Sequence, residues 1–457
     1  MIPKKLAAKA GNILVISHLV SGALTVLVAV AFSKLLGPQE FAIYSLCLAM
    51  NAASNTLCRL GINSALLTQK EFPTNLEFDT AITIMLTSAI VVALGLIALL
   101  PLLAIFSQVS YFILPGILTS VLLPVQIMSL PPLIRMERQL NYMPVVAIEI
   151  AGQLIGYIVG IGLTMIGFGY WGPLIGWCLR AVFQGFLPWV VLGQAPHLRW
   201  NKPIALRLLR SGVGYGIGST FLQSRTFIIL NIVGRFYGQS AVGYLALTIR
   251  AASLIMPFRS AVMRVMLPTV GPIINEKQKM ASALNSATEI EVLLTIPFAI
   301  IAVALFESLV KIVLGSVWIP ASSFFPWVVA GSILAASHAQ SMSALLVAGH
   351  IKESIISSIV FLVSITTALF SLSWIGISGC AVAFILVWPA YWVQEYFSIH
   401  RLGTRWSKNG TIWAIAGAVT CVSWSLGAWL LVFPTVLIYI TRSEILARFR
   451  SIIKYIR

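Results

Sequence analysis

Two arginines stand where a membrane span tolerates few. Arg225 falls near the middle of the apolar run 211–236, and Arg250 lies well inside the run 241–267. At a rise of ~1.5 Å per residue both sit near the midplane of a ~30 Å hydrocarbon core. A centre-placed arginine costs at least about 2.5 kcal/mol on insertion scales, so it has to face a partner or the interior of a helix bundle. What arginine offers is a permanent cation with a planar fork of donors, which is binding chemistry rather than bond-making. Arg59 and Arg259 take matching positions when Tyr44 is laid on Tyr244, each toward one end of its run. Either could hold an anion or snorkel to lipid head groups. Asn51, Asn55, Arg59 and Asn63 recur every four residues, a polar stripe on one helix face. Such a stripe packs helix to helix or lines a cavity. Arg180, on the run 172–192, is a further candidate.

The acids are few. Asp79, the only aspartate, opens the third apolar run; Glu149 lies inside the fifth, Glu289 and Glu291 open the ninth, and Glu395 lies in the twelfth. Burial raises a carboxyl pKa, so Glu149, Asp79 and Glu395 are the candidates for proton or sodium coupling, with an ion pair to arginine as the alternative for Glu149. His18 and His338 lie within apolar runs, where a packing histidine is the plain reading. The five cysteines, Cys47, Cys58, Cys178, Cys380 and Cys421, sit in apolar surroundings without a CxxC pair, which marks them as small buried hydrophobes. No HExxH, GxSxG or Walker loop occurs, and no acid pair reads as a glycosidase site. Neither an enzyme, a metal site nor a cofactor is expected.

The elements that must position these residues are membrane helices. Of 457 residues, 59% are hydrophobic and 9% charged, and a net charge of +17 resides in short connections. There it sets topology and gives no reason to expect nucleic acid. The apolar runs are 11–36, 41–68, 80–106, 111–134, 145–166, 172–192, 211–236, 241–267, 290–314, 324–348, 353–374 and 379–398, followed by 411–440. Residues 135–138 read as a charged loop, and 203–210 as an amphipathic segment in the membrane interface. Pro144, Pro257, Pro297, Pro326 and Pro389 are expected to kink their helices. The N-terminus reads as an uncleaved signal anchor.

The chain also says one thing twice. Lys34, Gly37 and Tyr44 match Arg235, Gly238 and Tyr244, each set between two apolar runs, with one residue fewer in the second copy. A second echo lays Met165-Ile166-Gly167-Phe168-Gly169 on Trp374-Ile375-Gly376-Ile377-Ser378. Two homologous halves with the same orientation follow, related by an axis along the membrane normal. A cytoplasmic N-terminus puts Lys4, Lys5, Lys9, Lys70, Arg135, Arg138, Arg199, Lys202, Arg207, Arg210, Arg264, Lys277, Lys279, Lys352, Arg401, Arg405 and Lys408 on one side, with Lys34, Arg235 and Lys311 opposite. The fold expected is all-α and polytopic: a six-helix bundle over 1–193, a cytoplasmic amphipathic linker over 194–210, a second six-helix bundle over 211–400, and extra membrane segments with a basic cytoplasmic tail over 401–457. The run 411–440 is long for one crossing and short for two; a tail on the cytoplasmic side favours a hairpin bent near residues 425–427.

The turn KLLGPQEFAIYSL resembles the signature of bacterial oligosaccharide flippases of the polysaccharide transporter group, within the multidrug/oligosaccharidyl-lipid/polysaccharide superfamily. The stretch from Glu149 to Gly176, ending IGFGYWGPLIG, and the segment Leu208-Leu209-Arg210-Ser211-Gly212 are similar to the same group. The likeness runs to the twelfth span; the last apolar run departs from the group's two extra full-length helices. The resemblance implies two bundles around a central cavity, alternating access, and transfer of a polyprenyl-pyrophosphate-linked sugar repeat unit across the bacterial inner membrane. The cavity would then use Arg225 and Arg250 for pyrophosphate and the asparagine amides for sugar hydroxyls. The expected partners are the lipid-linked oligosaccharide, membrane lipids, and a polysaccharide polymerase with glycosyltransferases. A cation-coupled drug exporter of the superfamily and a non-transporting scaffold are the alternatives.

Overall fold

The computed structural model describes residues 4–69, 71–109, 111–139, 141–254, 277–338, 340–341, 344–345, 348–404 and 406–427. Every regular element among them is a helix. The first part of the chain contains α1 (Lys4–Cys58), α2 (Ile62–Thr68), α3 (Asn75–Ser107), α4 (Ile113–Val121), α5 (Leu123–Met128), α6 (Leu130–Arg138), α7 (Tyr142–Leu163) and α8 (Trp171–Leu192). After an extended strap come α9 (Lys202–Tyr237), α10 (Gln239–Ser253), α11 (Lys277–Val313), α12 (Pro320–Ala336), α13 (Ile351–Ser371), α14 (Ile377–Leu386), α15 (Trp388–Phe397) and α16 (Lys408–Ser425).

Eight described segments are long and apolar enough to cross a membrane. The other expected crossings are interrupted, carry arginine, or run into residues outside the described set. α9 is long enough at 36 residues but carries Arg207, Arg210, Arg225 and Arg235. Residues 203–210 are therefore the first turns of a continuous helix, not a separate surface segment. Ala205 and Leu208 are buried in a cluster with Ile62, Leu66 and Phe78, which docks this helix onto α2 and α3. The second arm of the expected C-terminal hairpin lies outside the described residues. α16 ends at Ser425, with Gly427 at φ 70° just beyond.

Backbone chemistry explains where the runs break. The fourth run is three helices, interrupted next to Pro124 and next to Pro131 and Pro132, because proline has no N–H to give its helix. Residues 135–138, expected as a loop, complete α6 as helix. Pro389 likewise marks the α14–α15 break. Pro144 sits in the first turn of α7, where a missing N–H costs little, and Pro297 and Pro326 lie inside uninterrupted α11 and α12. Pro257 is outside the described residues. The second run breaks at Leu60 and Gly61, both with positive φ, so α2 is set off from α1. The free cysteines are buried except Cys178, which is half-buried.

The repeated turns share a backbone conformation as well as residues. Gly37 has φ 68° and ψ 174°, and Gly238 has φ 84° and ψ 169°, a region open essentially to glycine alone. For the second echo the backbone corrects the alignment. Gly376 (φ 74°, ψ −149°) matches Gly169 (φ 52°, ψ −138°) rather than Gly167 (φ 96°, ψ 12°).

Candidate functional site

α7 and α8 approach through small residues. Gly156 and Gly160 face Gly176 and Gly172, Gly152 faces the Gln184 side chain, and a Cβ on Gly176 would lie 2.2 Å from the Gly156 carbonyl oxygen. Only bare backbone allows this spacing. The same contact fixes Arg180, whose Cβ lies 2.9 Å from where a Gly156 Cβ would be. Its Nε donates to Gln184 Oε1 at 3.2 Å, and Gln184 Nε2 donates to the Glu149 carbonyl at 3.1 Å.

Arg180 opens onto a cavity of about 580 Å³ walled by α1, α7, α8, α10 and α11. The wall is mostly aliphatic and aromatic. Among the described residues its cations are Arg180 and Arg250, and no carboxylate lines it. Arg250 Cζ stands 5.1 Å from the ring centres of both Phe41 and Tyr44, so two aromatic faces from α1 hold it. Neither arginine has an ion pair among the described residues. Gln153, Tyr157 and Trp177 also line the cavity, and the Tyr157 hydroxyl is 3.2 Å from Thr25 Oγ1.

The other expected site residues lie elsewhere. Arg225 is not on this wall: its Cζ is 4.0 Å from the Phe361 ring centre, and one NH2 donates to Ser358 Oγ at 3.4 Å. The asparagine stripe packs against neighbouring helices. Asn51 reaches the Thr119 carbonyl at 3.5 Å, and Asn55 donates to Gln126 Oε1 at 2.7 Å while accepting from Arg59 Nε at 2.9 Å. Asn63 is half-buried in α2, past the helix break. Arg259 lies outside the described residues. Of the acids, Glu149 on α7 interacts electrostatically with Glu137, which also feels Arg59. Asp79 Oδ2 is 3.8 Å from Arg199 Nε. Glu395 accepts from Ser341 Oγ at 2.7 Å and lies 3.5 Å from His338 Nδ1.

Sequence reading names Tyr44 only as a marker of the repeat and passes over Gln153, Tyr157 and Trp177. The available signal was phase: Gln153 and Tyr157 are four residues apart and Trp177 and Arg180 three, so each pair shares a helix face. Which face meets the cavity depends on neighbours remote in sequence.

Residues 31–323, which contain both repeated turns and every cavity wall but the start of α1, match the model for "Polysaccharide biosynthesis protein". The chain belongs to the polysaccharide biosynthesis protein family. A curated relative, the succinoglycan biosynthesis transport protein ExoT of Rhizobium meliloti (strain 1021), is 25% identical over 292 residues, 63% of this chain and 58% of that protein. Less than two thirds of that relative is therefore spanned. Among solved structures, the lipid II flippase MurJ in an inward closed conformation superposes with a TM-score of 0.71 at 16% identity, covering 97% of this chain and 99% of that one. An inward-facing multidrug resistance MATE family transporter of the MOP superfamily gives a TM-score of 0.67 at 13% identity, covering 83% and 94%. This member of the polysaccharide biosynthesis protein family thus has the all-helical fold that flippases and drug exporters share, and is a multi-pass membrane protein.

Proposed function

We propose that the protein is a flippase, moving a polyprenyl-pyrophosphate-linked oligosaccharide across the bacterial inner membrane by alternating access for surface polysaccharide synthesis. The observation that carries this reading is the charge of the cavity: among the described residues, Arg180 and Arg250 stand without carboxylate partners on a wall that has no acid. A pyrophosphate presents oxygens that an arginine fork takes in pairs, and apolar walls around the two cations strengthen both contacts. Tyr157, Gln153 and Trp177 add hydroxyl, amide and indole donors for sugar hydroxyls. The family and the named relative, a transport protein of polysaccharide synthesis, support the same reading. They also favour transport over catalysis.

In this arrangement the N-terminus is cytoplasmic and a proton or sodium ion drives the cycle, with Glu149, Asp79 and Glu395 as the acids to test. Arg225, Arg59 and the asparagines act in support of the path, outside the wall described above, and Arg259 remains a candidate for the same path. A polymerase and glycosyltransferases of the same pathway are the proposed protein partners. Two-bundle organisation over 1–193 and 211–400 is the division proposed for the moving parts.

The test is reconstitution of the full chain in liposomes with a fluorescent polyprenyl-pyrophosphate oligosaccharide. Wild type should make the label accessible to a reagent outside, and Arg180→Ala with Arg250→Ala should not. No transfer by wild type, together with binding of a glycosyltransferase, would favour a scaffold. Energised efflux of a cationic dye would favour the exporter that the MATE-like fold also fits.

A further inference from the structure

A second cavity, of about 440 Å³, lies away from the first, where α3 begins and α6 and α8 end. Its outer wall is the extended strap that follows Gly193, which leads into α9. Arg135, at the end of α6, is built into its floor. The guanidinium donates from NH1 to Gln194 Oε1 and from NH2 to Asn75 Oδ1, and Cζ lies 5.0 Å from the centre of the buried Phe78 ring. Arginine has five N–H donors and these bonds use two, which leaves three. No carboxylate pairs with Arg135 among the described residues. Arg199 also lines the cavity, but Asp79 offsets it at 3.8 Å. Among the described residues the site therefore carries one uncancelled, fixed positive charge with spare donors.

Its surroundings say which anion fits. Trp189 has its indole N–H already given to the Met128 carbonyl at 2.8 Å, so it offers only apolar surface, as do Pro131 and Pro132. Next in sequence to lining residues, Val190, Leu198 and Trp200 are 72%, 61% and 62% exposed. Exposed aliphatic and indole side chains next to arginines, at the ends of membrane helices, are the pattern of a bilayer interface. A phosphodiester of charge −1 matches the charge of Arg135, and acyl chains have the apolar surface of Trp189, Pro131 and Pro132 to lie on. A zwitterionic head group would bring an ammonium to a cavity whose carboxylate, Asp79, is already paired.

We propose that Arg135, fixed by Asn75 and Gln194, binds the phosphate of an anionic glycerophospholipid, which thereby ties the strap before α9 to the ends of α3 and α8. The probe is phosphatidylglycerol added to the purified full-length protein, with bound lipid counted by native mass spectrometry. Wild type should retain phosphatidylglycerol in preference to phosphatidylcholine. Arg135→Gln should weaken retention by roughly tenfold or more, the loss of a charge-assisted phosphate contact, while Arg235→Gln, at the opposite end of α9, should not. Equal retention by Arg135→Gln and wild type, or equal retention of the two lipids, overturns the proposal. Glycerol 3-phosphate competing as well as the lipid would assign the site to a soluble phosphate instead, and overturns it too. Should Arg135→Gln fail to fold, Gln194→Ala serves in its place: it frees one guanidinium nitrogen from an exposed strap residue, and unchanged retention there counts against the site.

Discussion

Gln239 donates its side-chain amide to the backbone carbonyl of Gln39 at 2.9 Å, across 200 residues of sequence. The two repeated turns therefore touch each other. Beside them a Cβ on Gly243 would sit 2.0 Å from the Pro38 carbonyl oxygen, and buried Trp318 donates to the Ser33 carbonyl at 3.0 Å while packing edge-on to Phe41 and Tyr244. This end of the molecule is shut by contacts that join α1 to α10.

Alternating access requires those contacts to part. In a cysteine-free protein, cysteines at Gln39 and Gln239 joined by a short cleavable crosslinker should stop export, and cleavage should restore it. Surface polysaccharide in a deletion strain is the readout. Full export with the link intact would show that this end does not open.

The turn glycines should be sensitive for backbone reasons only. Among the described residues no atom beyond the chain neighbours lies within 4 Å of a Cβ built on Gly37 or Gly238, so alanine there meets no such neighbour, yet it must hold a conformation costing about 1–3 kcal/mol. Thermal unfolding in detergent should fall for Gly37→Ala and Gly238→Ala. Gly22→Ala, equally open but helical, should be neutral or slightly stabilising.

Arg225 and Arg250 should separate by phenotype. Arg250→Met leaves the cavity a cation short and should abolish export per molecule in the membrane, beyond any abundance lost with its contacts to Phe41 and Tyr44. Arg225→Met removes a cation held over Phe361, worth roughly 0.5–2 kcal/mol, and should lower abundance while leaving export per molecule nearly intact. The reverse pattern would move the anion site to α9.

At the other end α9 meets the break after α1 through bare backbone. A Cβ on Gly216 would lie 2.5 Å from the Leu60 carbonyl carbon, and one on Gly61 2.0 Å from the Gly212 carbonyl oxygen. Gly216→Val should cost about 1–3 kcal/mol by overpacking, or force this end apart, and either outcome lowers the unfolding temperature.

Topology is checked by an impermeant thiol reagent applied to whole cells. In the cysteine-free protein, a cysteine at exposed Gln39 should label from outside, and cysteines at exposed Asn141 and Lys202 should not. Labelling of both groups would refute the assigned orientation.

The sequence alone determined that this is a helical membrane protein with a repeat, because those properties are local. Hydrophobic runs must bury their backbone polar groups in helices whatever surrounds them. Gly37 and Gly238 are legible as a pair because a glycine-only conformation leaves a residue-type trace. The breaks at Pro124 and Pro131 were also written there and passed over, since apolar composition continues through them. The membership of the cavity wall was not local. Arg225 and Arg250 look alike in sequence, each an arginine in an apolar run. One meets Phe361 and the other faces the cavity beside Arg180, because helix rotation is set by contacts such as the Gly156–Gly176 approach and the Phe41 and Tyr44 rings. A cation's role in a membrane follows from what shares its low-dielectric surroundings, and only tertiary packing decides that.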